Sequence, residues 1–148
     1  MKFKGTRNFL VKELEASDTA RRLKIDNTIP DEYECNTKRL LSFLQGMREA
    51  WGSGIRITSG YRSEKLNKAV KGSKTSAHTT CNAVDLWPCN NKFSEFTKFV
   101  KEYLKDKSWD QCIIESRISA SGKITRWLHL GLYNNSGRQR RQIFNLDV

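Results

Sequence analysis
A chain of 148 residues with 27 lysines and arginines against 16 acidic residues carries a net charge of +11. Such charge points to polyanionic surroundings: nucleic acid, a membrane surface or an anionic cell wall. The length fits one domain, residues 1–148, with a real core, and no apolar run approaches the ~20 residues of a membrane span.

The basic residues are spread along the chain, apart from a dense cluster at Arg138, Arg140 and Arg141. No helix-turn-helix, zinc-finger or RNP-type pattern accompanies them. Most are read as solvated surface, and no nucleic-acid partner is expected. The opening Met1-Lys-Phe-Lys-Gly-Thr-Arg7 is basic with no apolar segment behind it, so it does not read as a secretory signal. Synthesis and folding in a cytoplasm are the expectation. Cys35, Cys81, Cys89 and Cys112 show no CxxC spacing. Four reduced thiols are expected, with a disulfide or thiolate metal site as the alternative.

Taken in order, Phe3–Lys24 holds scattered apolar residues and a helix start at Ser17-Asp-Thr-Ala20, with Ser17 as N-cap. Pro30 marks a loop. A stronger helix runs from Asp31 or Asn36 to Trp51. Its Leu40, Leu44, Met47 and Trp51 share one face, and Gly52 and Gly54 end it. Ile55–Thr58 is a short strand by its β-branched residues, broken at Ser59-Gly60. Ser63 caps a short helix, Glu64–Val70. Lys71–Asn82 is polar and turn-rich, which places His78 on a loop. Ala83–Trp87 reads as a strand halted by Pro88. Phe93–Lys105 is an amphipathic helix whose Phe93, Phe96, Val100, Tyr103 and Leu104 face the core. Two strands, about Trp109–Ile118 and Ile124–Leu132, form a hairpin through Ser119-Ala-Ser-Gly122. Helices and strands mix without a βαβ rhythm. The expected fold class is α+β, helices packed on a small, mostly antiparallel sheet.

The chain has two histidines, His78 and His129. His78 precedes Asp85 in a His-x6-Asp spacing. Asp85 sits inside an apolar strand, where an unpaired carboxylate is costly and a bound cation would supply a partner. Two imidazoles and one carboxylate make a three-ligand zinc set with a fourth position for water. Magnesium and calcium prefer oxygen ligands. Non-haem iron fits the same donors and stays open from spacing alone.

At this point the residues are familiar. Ser59-Gly-Tyr-Arg-Ser63, Leu66-Asn67, Ser76-x-His78, Ala83-x-Asp85 and Trp127-x-His129 resemble a family of zinc peptidases acting on bacterial peptidoglycan. That family includes D-alanyl-D-alanine carboxypeptidases and phage L-alanyl-D-glutamate endopeptidases, and shares its fold with the hedgehog signalling domain. Its loop motif, S-x-H-x-x-G-x-A-x-D, reads here Ser76-Ala-His-Thr-Thr-Cys-Asn-Ala-Val-Asp85. The resemblance extends through Ser17–Ala20, Asn27-x-x-Pro30, Trp109-Asp-Gln111 and Glu115. It implies one zinc per chain on His78, Asp85 and His129, and Arg62 as a substrate-facing cation. Two positions depart from the pattern. Cys81 stands where the family usually has glycine, close enough in sequence to serve as a fifth ligand or an oxidation site. Arg126 stands three residues before the second histidine, where many relatives carry the catalytic acid.

Zinc would polarise the scissile carbonyl and a water, and a carboxylate would move the proton. Arg62 would stabilise the oxyanion or hold a substrate carboxylate. Ser76, Tyr61 and Trp127 are candidate substrate-binding residues. Turn formation by Ser76, core packing by Tyr61 and Trp127, and loop bracing by Arg62 are the competing readings.

Strand parity suggests Glu115 as the replacement acid. Leu128, Leu130 and Leu132 share the core face, leaving Trp127, His129 and Gly131 on the metal side. Cys112, Ile114 and Ile118 read as core-facing on the neighbouring strand, leaving Gln111, Ile113 and Glu115 opposite. A hairpin centred near Ser121 sets Glu115 against Trp127.

The resulting expectation is a monomeric zinc peptidase cutting the peptide stem or cross-link of peptidoglycan. A phage endolysin, made in the host cytoplasm and acting in the wall after release, suits the charge and the absence of a signal. A non-catalytic hedgehog-like zinc domain, favoured by Arg126, and a basic nucleic-acid binder are the alternatives.

Overall fold
The computed structural model describes residues 1–148. Five strands make one mixed sheet in the order β1-β2-β4-β3-β5. They are β1 (Ile55–Ser59), β2 (Ala83–Pro88), β3 (Gln111–Ile118), β4 (Ile124–Gly131) and β5 (Gln142–Asp147). All neighbours run antiparallel except β3 and β5. The helices are α1 (Val11–Glu15), α2 (Asp18–Leu23), α3 (Glu34–Trp51), α4 (Glu64–Ala69) and α5 (Phe93–Tyr103). The α+β architecture expected from the sequence is the one observed. No helix is long and apolar enough to cross a membrane.

Local chemistry accounts for most boundaries. Ser17 accepts a hydrogen bond from the Ala20 N–H and Ser63 from the Leu66 N–H, so both act as N-caps. Gly52 ends α3 in the left-handed conformation that glycine tolerates best. α3 and α5 cover one sheet face. Leu40, Leu41, Leu44 and Met47 from α3 and Phe96 and Val100 from α5 meet Val84, Leu86, Leu128 and Leu130 in a single core. Truncating Phe96 to alanine would cost about 3–5 kcal/mol by the usual scale for a buried aromatic.

Three parts differ from expectation. α1 and β5 have no counterpart in the sequence reading. Every residue of β5 is exposed, so it carries no buried–exposed alternation to read. Ile118 was expected in the core but is 68% exposed, because the hairpin tip runs past the helices that cover the sheet. His78 lies not in an open loop but in one 3₁₀ turn, Ala77–Thr80, where it is buried.

All four cysteines are free thiols, Cys35 and Cys89 exposed, Cys81 and Cys112 buried. Burial pushes the Cys81 and Cys112 thiols up to about 11. A disulfide-exchange reagent should therefore modify two thiols in the native protein and four after denaturation. Four fast-reacting thiols in the native state would contradict this packing.

Candidate metal centre
The site is built on the sheet face that the helices leave open. Register sets Asp85 of β2 opposite His129 of β4, and His129 opposite Ile113 of β3. Alternation then turns Leu128 and Leu130 into the core and His129 outward. His78 arrives from the 3₁₀ turn, where its own N–H donates to the Ser76 hydroxyl at 3.3 Å.

Behind His78 stands a bulge in the β1–β2 pairing between Ile57 and Ser59, the kind of irregularity that re-aims a chain. It delivers the Gly60 carbonyl to His78 Nδ1 at 2.6 Å. Glycine is required there: a Cβ at position 60 would fall 2.6 Å from the Leu14 backbone. Because a carbonyl only accepts, His78 Nδ1 must donate, which leaves Nε2 as the free lone pair. Asp85 Oδ1 lies 3.3 Å from His78 Nε2 and 3.1 Å from His129 Nδ1. The three donor atoms fall within 4.8 Å of one another, and all three residues are buried.

This donor set fits a tetrahedral cation. Bonds of about 2.0–2.1 Å space tetrahedral donors by about 3.3 Å, close to both Asp85 distances. The charge state fits as well. Burial pushes Asp85 upward, but the flanking imidazoles and their hydrogen bonds outweigh it and hold the carboxyl well below its usual range. Burial holds His78 below its ordinary value despite the attraction of Asp85, which keeps its lone pair available.

Arg62 closes the fourth side. Its main-chain N–H donates to the His78 carbonyl at 3.1 Å. Its Nη2 lies 3.6 Å from Asp85 Oδ2, and its Nη1 lies 3.5 Å from Asn67 Oδ1. The loop carrying it is pinned by Asn27, whose amide donates to the Glu15 and Tyr61 carbonyls and accepts from the Ser63 N–H. Sequence reading singled out neither Asn27 nor Asn67 as part of the site. Their signal was that each belongs to a stretch carrying the resemblance, Asn27-x-x-Pro30 and Leu66-Asn67, where no role was assigned to it.

The trio forms the floor of a cleft of about 1080 Å³, which Arg62, Ser76, Glu115 and Trp127 also line. Glu115 pairs with Trp127 across the hairpin, as parity required, and the Trp127 indole N–H donates to its Oε2. Burial raises the Glu115 carboxyl, the Asp85 charge adds to this, and His129, the Trp127 hydrogen bond and Arg62 oppose it.

Two expected roles do not survive. Tyr61 does not wall the cleft: its ring is buried in the core, 6.2 Å from that of Tyr33. Its neighbours Gly60 and Arg62 already point their polar groups to the site, so the intervening side chain turns inward. Cys81 is no fifth ligand. Its thiol is buried against the Thr37 hydroxyl at 3.3 Å, outside the metal trio. Its φ of 59° explains the glycine expected there, since the turn needs a left-handed residue. Arg126 is exposed and shares the parity of Leu128, so no acid at 126 on this regular strand would face the metal.

A buried His–Asp–His trio flooring an open cleft, with a raised carboxyl alongside, is the arrangement a metal-dependent hydrolase uses. The chain belongs to the peptidase M15 family, whose model matches residues 7–116, about three quarters of its length. Members of that family are zinc peptidases. His129 and Trp127 lie beyond the matched residues, and here it is the sheet register that joins them to the site. No curated protein matches the chain.

Proposed function
We propose that residues 1–148 form a single catalytic domain that hydrolyses a peptide bond in the stem or cross-link of bacterial peptidoglycan. The observation that carries this reading is the trio of His78, Asp85 and His129 in a cleft beside Glu115, within a chain of the M15 family. His78 through Nε2, Asp85 through Oδ1 and His129 through Nδ1 would hold one zinc ion. When bound, zinc supplies Lewis acidity, polarising a carbonyl and easing the deprotonation of water.

The chain's own residues do the rest. Glu115, raised by burial, takes a proton from the attacking water and passes it to the leaving amine. Trp127 orients that carboxylate through its indole N–H. Arg62 stabilises the oxyanion or anchors a substrate carboxylate. Ser76 fixes the turn that presents His78, and its place on the cleft lining lets it meet substrate. The +11 charge favours adsorption to an anionic wall, which suits a phage endolysin acting there as a monomer after release from the host cytoplasm.

Mass spectrometry of muropeptides after digestion of purified peptidoglycan tests the function and names the bond. New amino and carboxyl termini at one stem position are expected. Intact stems after prolonged incubation with zinc-loaded protein would favour a non-catalytic wall-binding domain instead. Arg62→Lys should keep the metal and lose at least about 10-fold in turnover, since lysine cannot reproduce a planar paired contact. Unchanged kinetics would leave Arg62 only its bond to the His78 turn.

A further inference from the structure
Seven lysine and arginine residues line the cleft against three acidic ones, which suits an anionic substrate. One of the seven is built differently from the others. Arg140 donates from Nε and its main-chain N–H to Asp110 Oδ1, at 2.8 and 2.9 Å, and from Nη2 to Oδ2 at 2.8 Å. Asp110 is 1% exposed and is fixed in turn: its N–H donates to the Gly131 carbonyl and its carbonyl accepts from the Gln142 N–H, both at 2.8 Å. The guanidinium is thus rigid. Its Nη1 has no partner, and the side chain is 39% exposed on the cleft. A planar cation with one edge satisfied and the other open is preorganised to receive a planar anion.

The place of this cation is set by register. Gln111 pairs with Gly131 on one side of the His129 position, and Glu115 pairs with Trp127 on the other. A Cβ built at Gly131 would lie 3.7 Å from His129 Nε2 and 3.9 Å from the Ala83 and Gln111 side chains, which is ordinary contact. The backbone therefore does not demand glycine. What the glycine provides is a bare floor next to His129, bordered by Ala83 and Gln111, and its carbonyl accepts from Asp110, the residue that holds Arg140.

We propose that Arg140, held by Asp110, is the recognition group for a substrate carboxylate that lies over Gly131, across the metal trio from Glu115. This rests on the peptidase reading above and deepens it. A substrate spanning the cleft would have its scissile carbonyl at the trio and a free carboxylate, carried by a neighbouring stem residue, against Arg140. One open guanidinium edge over a single-residue floor matches a carboxylate rather than a bulkier phosphate.

The test uses three synthetic stem pentapeptides: L-Ala–γ-D-Glu–L-Lys–D-Ala–D-Ala, and the same peptide with either the glutamate α-carboxyl or the C-terminal carboxyl amidated. The zinc-loaded full chain should prefer the parent over one of the two amides by about 10-fold or more in kcat/KM. The paired variant Arg140→Gln/Asp110→Asn, which leaves no buried charge unpaired, should bring that ratio near one by raising KM while kcat stays within about 3-fold. Should the pair fail to fold, Arg140→Lys retains a counter-ion for Asp110 and should still lose most of the preference. Backbone and Arg140 Nε–H signals in NMR titrations supply a readout independent of turnover. If nothing is hydrolysed but the parent peptide shifts the Arg140 Nε–H and one amide does not, the carboxylate subsite stands and the peptidase reading falls. If hydrolysis proceeds with no acid-over-amide preference, or with the same preference in the variants, the subsite is overturned and the peptidase reading stands.

Discussion

His129→Ala should leave a folded chain that no longer retains metal and has no measurable turnover. His129 supplies one of three donor atoms and comes from a different strand than Asp85. Losing a residue that merely orients a ligand weakens metal binding about 10–100-fold, so losing a ligand should exceed about 100-fold. The fold should persist because the core side of β4 is carried by Leu128 and Leu130, which the substitution does not touch. Elemental analysis after dialysis, with circular dichroism as the control for folding, reads both outcomes. A full equivalent of zinc in the variant would remove His129 from the ligand set. Full wild-type activity in a strong chelator would remove the metal from the mechanism.

The same trio makes the metal-free protein sensitive to acid. His78 titrates below its ordinary 6.5 in the fold, and Asp85 below its ordinary 3.8. Each binds fewer protons folded than unfolded. The stability each contributes is present above its unfolded pKa and is lost as pH falls through and below it. Unfolding midpoints in urea with a chelator present should therefore fall below about pH 6.5, and again below about pH 4. A midpoint constant between about pH 7.5 and 4 would contradict the assigned protonation states.

What could be read from the chain followed the strength of its periodicities. The hairpin register was legible because Leu128, Leu130 and Leu132 alternate with Trp127, His129 and Gly131, so a one-residue slip would bury the wrong set. The caps at Ser17 and Ser63 were legible because a serine hydroxyl at a helix start has one obvious partner. β5 was not, because an edge strand exposed along its whole length gives no contrast between faces. Tyr61 misled because motif neighbours need not share a direction: Gly60 and Arg62 serve the site through a carbonyl, an N–H and a guanidinium while the ring between them packs inward. Arg140 hid in a run of arginines read as solvated surface. Its partner Asp110 is 30 residues away in sequence, and only the return of the chain beside β3 brings them together.

Glu115→Gln should keep the fold and the metal while lowering turnover by about 10²–10⁴-fold, the scale for losing a general acid–base group. Glutamine is the same size, and its amide carbonyl still accepts the Trp127 indole N–H, so the hairpin should be undisturbed. What it cannot do is accept a proton from water. The pH profile makes the assignment sharper. Glu115 is raised above its ordinary 4.5, by burial first and then by the Asp85 charge. A base must be deprotonated to act, so kcat/KM should rise with pH through an apparent pKa above 4.5. The residual activity of Glu115→Gln should lack that limb. Trp127→Phe separates the carboxylate from its support. The indole hydrogen bond favours the charged form, so removing it should move the acid limb to higher pH while the plateau rate falls far less than in Glu115→Gln. Wild-type turnover in Glu115→Gln, or an acid limb unmoved in Trp127→Phe, would mean that another group carries the proton.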